Sequence, residues 1–200
     1  MDVVFMLPFR LSICGLNELA EFVNSDVSHI ISILDPDLAD PDELSEFPSE
    51  NRLVFRFDDV ALAPKHSKKL DRFAQPAHSH PGINDIEKLI EWGRGLSEAG
   101  AHHLLVHCHA GVSRSTAASA ILMADKNPGH EPEVFIEIDH IRPRNWPNSM
   151  MIDLADQLLG CNGAFNAALR SHHTHIAKRD PNLAELIRLH GRAHEIPEDI

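Results

Sequence analysis

Hydrophobic and polar positions along the chain switch between two periods, and the switches mark the elements. Leu11–Cys14 forms a short apolar run, and His29–Leu34 reads as a β-branched strand with no polar face, as a strand buried on both sides would. Leu53–Phe57 alternates large apolar residues with Arg56, and His103–His107 is an apolar run too short for a helix. Between these runs the period lengthens. Ile83, Ile86, Leu89, Ile90 and Leu96 share one helical face, with Asn84 and Glu87 spaced as a capping box and Gly100 as the stop. Asn17 opens a helix to about Val23, Pro132 one to about Ile141, and Asn148 one to Leu159. Strands alternating with helices predict an α/β fold, with a central, largely parallel sheet of about four to five strands flanked by helices.

The stretches between these elements are read as connections. The acidic, proline-containing segment from Asp35 to Glu50 is expected to be a surface loop. Residues Pro64 to Gly82 carry prolines, histidines and lysines with little periodicity; they read as a mobile connection with one helical turn near Lys68–Phe73. Met1–Arg10 reads as a first strand or a strand-leading segment. Near the end, Leu183, Leu186, Ile187 and Leu189 predict a short amphipathic helix. There is no internal repeat.

Composition narrows the class. The chain has 200 residues, 43% hydrophobic and 24% charged, which suits a globular body rather than a disordered one. The expected organisation is a main domain over residues 1–160 and a C-terminal helical extension, 161–200, packed on it. The net charge of −12 argues against nucleic-acid and anionic-membrane partners, since both need basic patches. No apolar run approaches the roughly 18 residues of a membrane span. Asp2 and the lack of a basic leading region argue against a signal peptide. Three cysteines, Cys14, Cys108 and Cys161, are too few and too odd for a disulfide framework, so a reducing, cytoplasmic setting is expected. Cys14 and Cys161 read as structural. Fifteen histidines raise a metal question, but His78-Ser-His80 and His172-His-Thr-His175 lack cysteine or carboxylate company and read as solvated loop residues. No metal or cofactor is expected.

The chemistry concentrates where the strand His103–His107 meets the small-residue helix Ser115–Ala124. Between them lies Cys108-His109-Ala110-Gly111-Val112-Ser113-Arg114. A short spacer at the carboxyl end of a parallel strand can curl so that its backbone N–H groups point inward as a nest for a tetrahedral oxyanion. The following helix aims its positive end at the same point, Gly111 relieves the turn, and the Arg114 guanidinium matches two oxygens of a phosphate. The same field favours the thiolate of Cys108, placed to attack phosphorus in line and form a cysteinyl-phosphate. Ser115 can hydrogen-bond the sulfur. His107 can orient the loop through its ring rather than act as a base.

His107-Cys108-His-Ala-Gly111-Val-Ser-Arg114-Ser115 resembles, at every position, the signature loop of the protein tyrosine phosphatase superfamily, and the chain's length is similar to that of its compact dual-specificity and bacterial members. The resemblance runs from about Leu11 to Leu159; Arg142-Pro143, Pro147-Asn148 and Gln157-Leu158 match further features of compact members. It implies a phosphomonoester hydrolase acting on phosphorylated protein or peptide, with Cys108 as nucleophile, Arg114 as clamp, Ser115 assisting the thiolate and a carboxylic acid as proton donor. The candidates for the acid are Asp58, Asp59 and Asp71. Asp59 is favoured because Phe57-Asp-Asp59 ends a strand on the side where Cys108 lies. Asp71 stands nearer to Cys108, as the family's spacing prefers, but lacks the strand-end context.

Two other function classes use the same residues. One is hydrolysis of a non-protein phosphate ester such as a phosphoinositide or nucleotide; the loop carries no lysine, which disfavours lipid and RNA substrates. The other is a non-catalytic module that binds phosphorylated partners, which would typically lack the cysteine or the arginine, and both are present here.

Overall fold

A computed structural model describes residues 7–59 and 79–197. Four strands, β1 (Arg10–Gly15), β2 (His29–Leu34), β3 (Arg52–Arg56) and β4 (His103–Cys108), form one sheet in the order β1-β4-β2-β3, with every pairing parallel. All six residues of β2 and of β4 are buried, which is why these central strands read as unbroken apolar runs. The helices are α1 (Ile83–Gly95), α2 (Arg114–Lys126), α3 (Glu131–Ile141), α4 (Ser149–Leu159), α5 (Ala164–Arg179) and α6 (Pro181–Ile187). An α/β fold with a parallel sheet is thus present, as the pattern predicts.

The period of two along each strand sorts its side chains into two cores. Ile13, Ile31, Ile33, Phe55, Leu104 and Val106 face the helices, where they meet Ile86, Leu89, Ile121, Phe135 and Phe165. Cys14, Ile30 and Leu105 face the opposite side and are covered by Leu19, Leu44 and Phe47. Leu44 and Phe47 lie on or beside short 3-10 turns, Asp42–Glu46 and Ser49–Asn51. The acidic stretch after β2 is therefore not a plain surface loop: its two large apolar residues seal the sheet.

Local signals fared unevenly. Pro132 sits in the first turn of α3, and Asn148 caps α4 by accepting from the Met151 amide at 3.1 Å. The cap of α1 differs from the expected Asn84–Glu87 pair. The helix begins two residues earlier, and the Asp85 carboxylate accepts from the Gly82 amide at 2.8 Å. Asn17 caps nothing; Leu16–Phe22 is a 3-10 turn whose start is held by Glu18, which accepts from the Gly15 amide at 2.7 Å. The helical turn expected near Lys68–Phe73 and the residues Asp71 and His78 lie outside the described residues. Among the described residues no helix is long and apolar enough to cross a membrane.

The largest departure is α5. Its histidines were expected in a solvated loop. Instead His172 and His173 are buried in a helix. His172 stacks on Phe135 with its Nε2 2.6 Å from Asn145 Oδ1; His173 stacks on Trp146 at 4.3 Å and donates from Nε2 to the Pro147 carbonyl at 3.1 Å. Each ring thus serves as a flat, half-polar packing piece. Burial pushes His107 and His172 down to about 4 and His173 well below its ordinary value. An unfolded imidazole titrates near 6.5, so below that pH the unfolded chain takes up protons that the folded chain refuses. Stability that is fully present above about pH 6.5 should fall as the pH drops toward about 4, by about 1.4 kcal/mol per pH unit for each ring that stays neutral in the fold. Urea unfolding across this window reads the slope, and His172→Gln should flatten it. A level profile would mean that the rings charge without leaving the fold.

Candidate active site

The sheet places Cys108 at the carboxyl end of β4, and α2 begins at Arg114, so residues 109–113 must turn within five positions. They do so against the end of β1. The Leu16 amide donates to the His109 carbonyl at 3.0 Å, and Gly111 adopts φ +67° where a side chain would strike Cys14 and Gly15 backbone atoms at 2.5–2.7 Å. Gly111 is thus required twice, by its left-handed backbone and by the closeness of β1. Among the described residues, none of the backbone N–H groups of residues 109–113 has a hydrogen-bond partner. Orphan donors at the head of a helix make an anion-binding concavity.

Cys108 is 2% exposed, and its Sγ lies 3.2 Å from Ser115 Oγ. Arg114 is 3% exposed and held from behind: it donates to the Phe57 carbonyl at 2.6 Å and pairs with Asp35 at 2.7 Å. Its Nε has no partner among the described residues. A buried guanidinium N–H without an acceptor is costly, and an oxyanion in the loop would supply one. Beneath, His107 donates to or accepts from Ser32 Oγ at 2.6 Å, tying the base of the loop to β2. Burial pushes Cys14 up to about 12 and Cys161 up to about 11, which keeps both protonated at neutral pH.

The stretch 142–148 braces the loop from outside. Arg142 Nε donates to the Gly111 carbonyl at 3.1 Å while its other nitrogens fork onto Glu18 at 2.9 and 2.7 Å. The Arg142 guanidinium in turn holds the Glu18 carboxyl below its ordinary range. The Trp146 amide donates to the Val112 carbonyl at 2.8 Å. The loop's carbonyls are thereby used outward, which fits amides turned inward.

The acid candidates separate geometrically. Asp58 turns to the chain beyond the undescribed segment, accepting from the Ser79 amide at 3.0 Å. Asp59 turns to the loop, where its Oδ1 accepts from Ser113 Oγ at 2.7 Å and Asn148 Nδ2 at 2.9 Å. It also pairs with Arg192 at 3.2 Å. Asp59, Ser113, Arg192, Arg142 and the apolar side of α6 border a cavity of about 450 Å³ beside the loop.

Cys108, Arg114, Ser115 and Asp59 are thus neighbours of one loop. Sequence reasoning missed Asp35, Glu18, Arg192 and Glu195. Asp35 follows a strand end as Asp59 does, and that position was its one available signal.

No family model and no curated protein sequence matches the chain. Solved structures do. A phosphatase of Cydia pomonella, PTP-2, superposes with a TM-score of 0.55 at 18% identity, covering 74% of this chain and 84% of that one. The human tyrosine phosphatase-like serine/threonine/tyrosine-interacting protein gives 0.54 at 19% identity, covering 78% and 94%. Human DUSP28 gives 0.52 at 16%, covering 77% and 94%. The chain therefore has the fold of the tyrosine and dual-specificity phosphatases, a fold shared by a phosphatase and by a phosphatase-like protein.

Proposed function

We propose that the protein is a cysteine-dependent phosphomonoester hydrolase, and that its substrates are phosphotyrosine or phosphoserine and phosphothreonine residues of proteins. The observation that carries this reading is the pairing of Cys108 Sγ with Ser115 Oγ at 3.2 Å below a loop whose amides, and the Arg114 Nε, lack acceptors among the described residues. A phosphate dianion answers all of those donors at once and sets phosphorus above the sulfur.

The steps follow from the groups present. The Cys108 thiolate attacks phosphorus, forming the S–P bond as the ester P–O bond breaks. Asp59 gives its proton to the departing oxygen. Water then attacks the cysteinyl-phosphate, passes a proton back to Asp59, and the S–P bond breaks to release orthophosphate and the thiolate. Ser115 stabilises that thiolate in both steps through its hydroxyl. Arg114, fixed by Asp35 and the Phe57 carbonyl, presents Nε to the equatorial oxygens, whose charge grows in the transition state.

Asp59→Asn tests the assignment of roles. It should slow hydrolysis of phenyl phosphate, whose leaving group needs a proton, by about 10²-fold or more, and p-nitrophenyl phosphate far less. Equal slowing of both would remove Asp59 from proton transfer. Release of orthophosphate from phosphotyrosine and phosphoserine peptides reads the substrate class, and turnover confined to a phosphoinositide or a nucleotide would overturn the protein-substrate reading.

A further inference from the structure

The chain's last described turn reaches into the site. After α6, a kink at His190–Gly191, with Gly191 at φ +79°, reverses the backbone and sends Arg192 inward toward the loop. Arg192 is 2% exposed, deeper than most arginines ever sit. Its NH1 donates to Ser113 Oγ at 2.7 Å and to Asp59 Oδ1 at 3.2 Å. Its other side meets Glu195, from Nε at 3.0 Å and from NH2 at 2.7 Å. Glu195 is held in turn by Trp146 Nε1 at 2.8 Å and by the Ser149 hydroxyl. The result is one continuous chain of contacts, Trp146–Glu195–Arg192–Asp59, running from the brace of the loop to its carboxylate.

Two features say what this chain is for. Among the described residues, the three donors to Asp59, from Ser113, Asn148 and Arg192, all fall on Oδ1. Oδ1 is thereby fixed as the accepting oxygen, leaving Oδ2 as the one to carry a proton. Here Glu195 balances the charge, so Arg192 works as an orienting donor more than as a bare cation.

We propose that Arg192, with its charge balanced by Glu195, is the positioning residue for Asp59, so that the C-terminal segment supplies a working part of the active site. This rests on Asp59 being the proton donor. The full-length protein is compared with Arg192→Gln, Arg192→Lys and Asp59→Asn, using phenyl phosphate and p-nitrophenyl phosphate as paired substrates. Arg192→Gln should lower kcat on phenyl phosphate by about tenfold or more and leave p-nitrophenyl phosphate within about threefold, with KM little changed in both. Arg192→Lys, which keeps a donor and a charge, should recover part of the loss. In the double variant with Asp59→Asn, loss of Arg192 should cost phenyl phosphate turnover nothing further, because two residues acting through one proton transfer are not additive. Equal loss on both substrates, or full additivity with Asp59→Asn, would show a merely structural anchor and overturn the inference. Should Arg192→Gln fail to fold, the lysine variant decides alone: a preserved substrate ratio at lowered activity on both overturns it. If Asp59→Asn itself fails to discriminate between the substrates, the proton-donor reading is what has failed, and the inference falls with it.

Discussion

Cys108→Ser is expected to abolish turnover of aryl phosphates while leaving the fold and the anion site intact. The exchange is nearly isosteric, and residue 108 is sealed at the end of β4 among apolar neighbours, so the packing change is one atom wide. The chemical change is large. A serine hydroxyl is a far weaker acid than a thiol, and among the described residues no side chain beside it is placed as a base: His107 is pushed down to about 4 yet points to Ser32 beneath the strand, and Ser115 Oγ is itself a hydroxyl. Loss of the nucleophile should therefore lower kcat by about 10³-fold or more. Binding should survive, because the loop amides and Arg114 Nε are untouched. Titration calorimetry with orthophosphate reads this directly, with an affinity within a few-fold of the unsubstituted protein. Turnover that persists in Cys108→Ser would remove the proposed nucleophile. A wild-type protein that binds phosphopeptide without hydrolysing it would mark a binding module instead.

That experiment rests on residues readable in the sequence, and the reason is local. Cys108, Gly111, Arg114 and Ser115 act within one continuous turn, so their spacing along the chain is also their spacing in space. The strands were legible for a related reason. β2 and β4 are buried on both faces and need apolar residues throughout, whereas a helix or a half-exposed strand mixes its signal with solvent positions. Asp59 was legible only by position, as the end of a strand pointing the same way as β4. Asp58 shares that position, and what separates them is the direction each side chain takes, toward Ser79 or toward Ser113, which no spacing encodes.

What the sequence hid is what comes from far along the chain. Arg192 meets Asp59 across 133 positions, and Arg142 meets Glu18 across 124. Such pairs leave no periodic trace. α5 was hidden differently: its run His172-His-Thr-His175 looks polar, yet two of those rings stack on Phe135 and Trp146 and satisfy one nitrogen each. Histidine carries enough flat apolar surface to be a core residue when its polar atoms are answered, and only the tertiary partner decides that.

Gly111→Ala is expected to be the most damaging of the glycine-to-alanine changes, because Gly111 alone combines a left-handed backbone with main-chain atoms in the way of a Cβ, and it separates loop geometry from loop chemistry. At φ +67° an L-residue costs about 1–2 kcal/mol before any contact is counted. The added Cβ would also stand 2.5 Å from Cys14 C, 2.6 Å from Gly15 N and 2.7 Å from Cys14 O, all main-chain atoms of the strand end that cannot rotate away. Either β1 must move from β4 or the loop must open. β1 is ladder-paired to β4 along all six residues, from Arg10 with His103 to Gly15 with Cys108, so the loop is the softer part. Opening it also strains the Arg142 bond to the Gly111 carbonyl. A loss of about 2–4 kcal/mol in unfolding free energy is expected, since strain and overpacking add. Because the amides no longer converge, orthophosphate affinity should fall by about tenfold or more even in the fraction that stays folded. The contrast with Cys108→Ser is the point of the pair: one removes chemistry and keeps the anion, the other keeps the sulfur and loses the anion. Urea unfolding and calorimetry on the same sample read both quantities. Unchanged phosphate binding in Gly111→Ala would show that the anion is not held by this turn of the backbone, and the nest would have to be abandoned whatever Cys108 does.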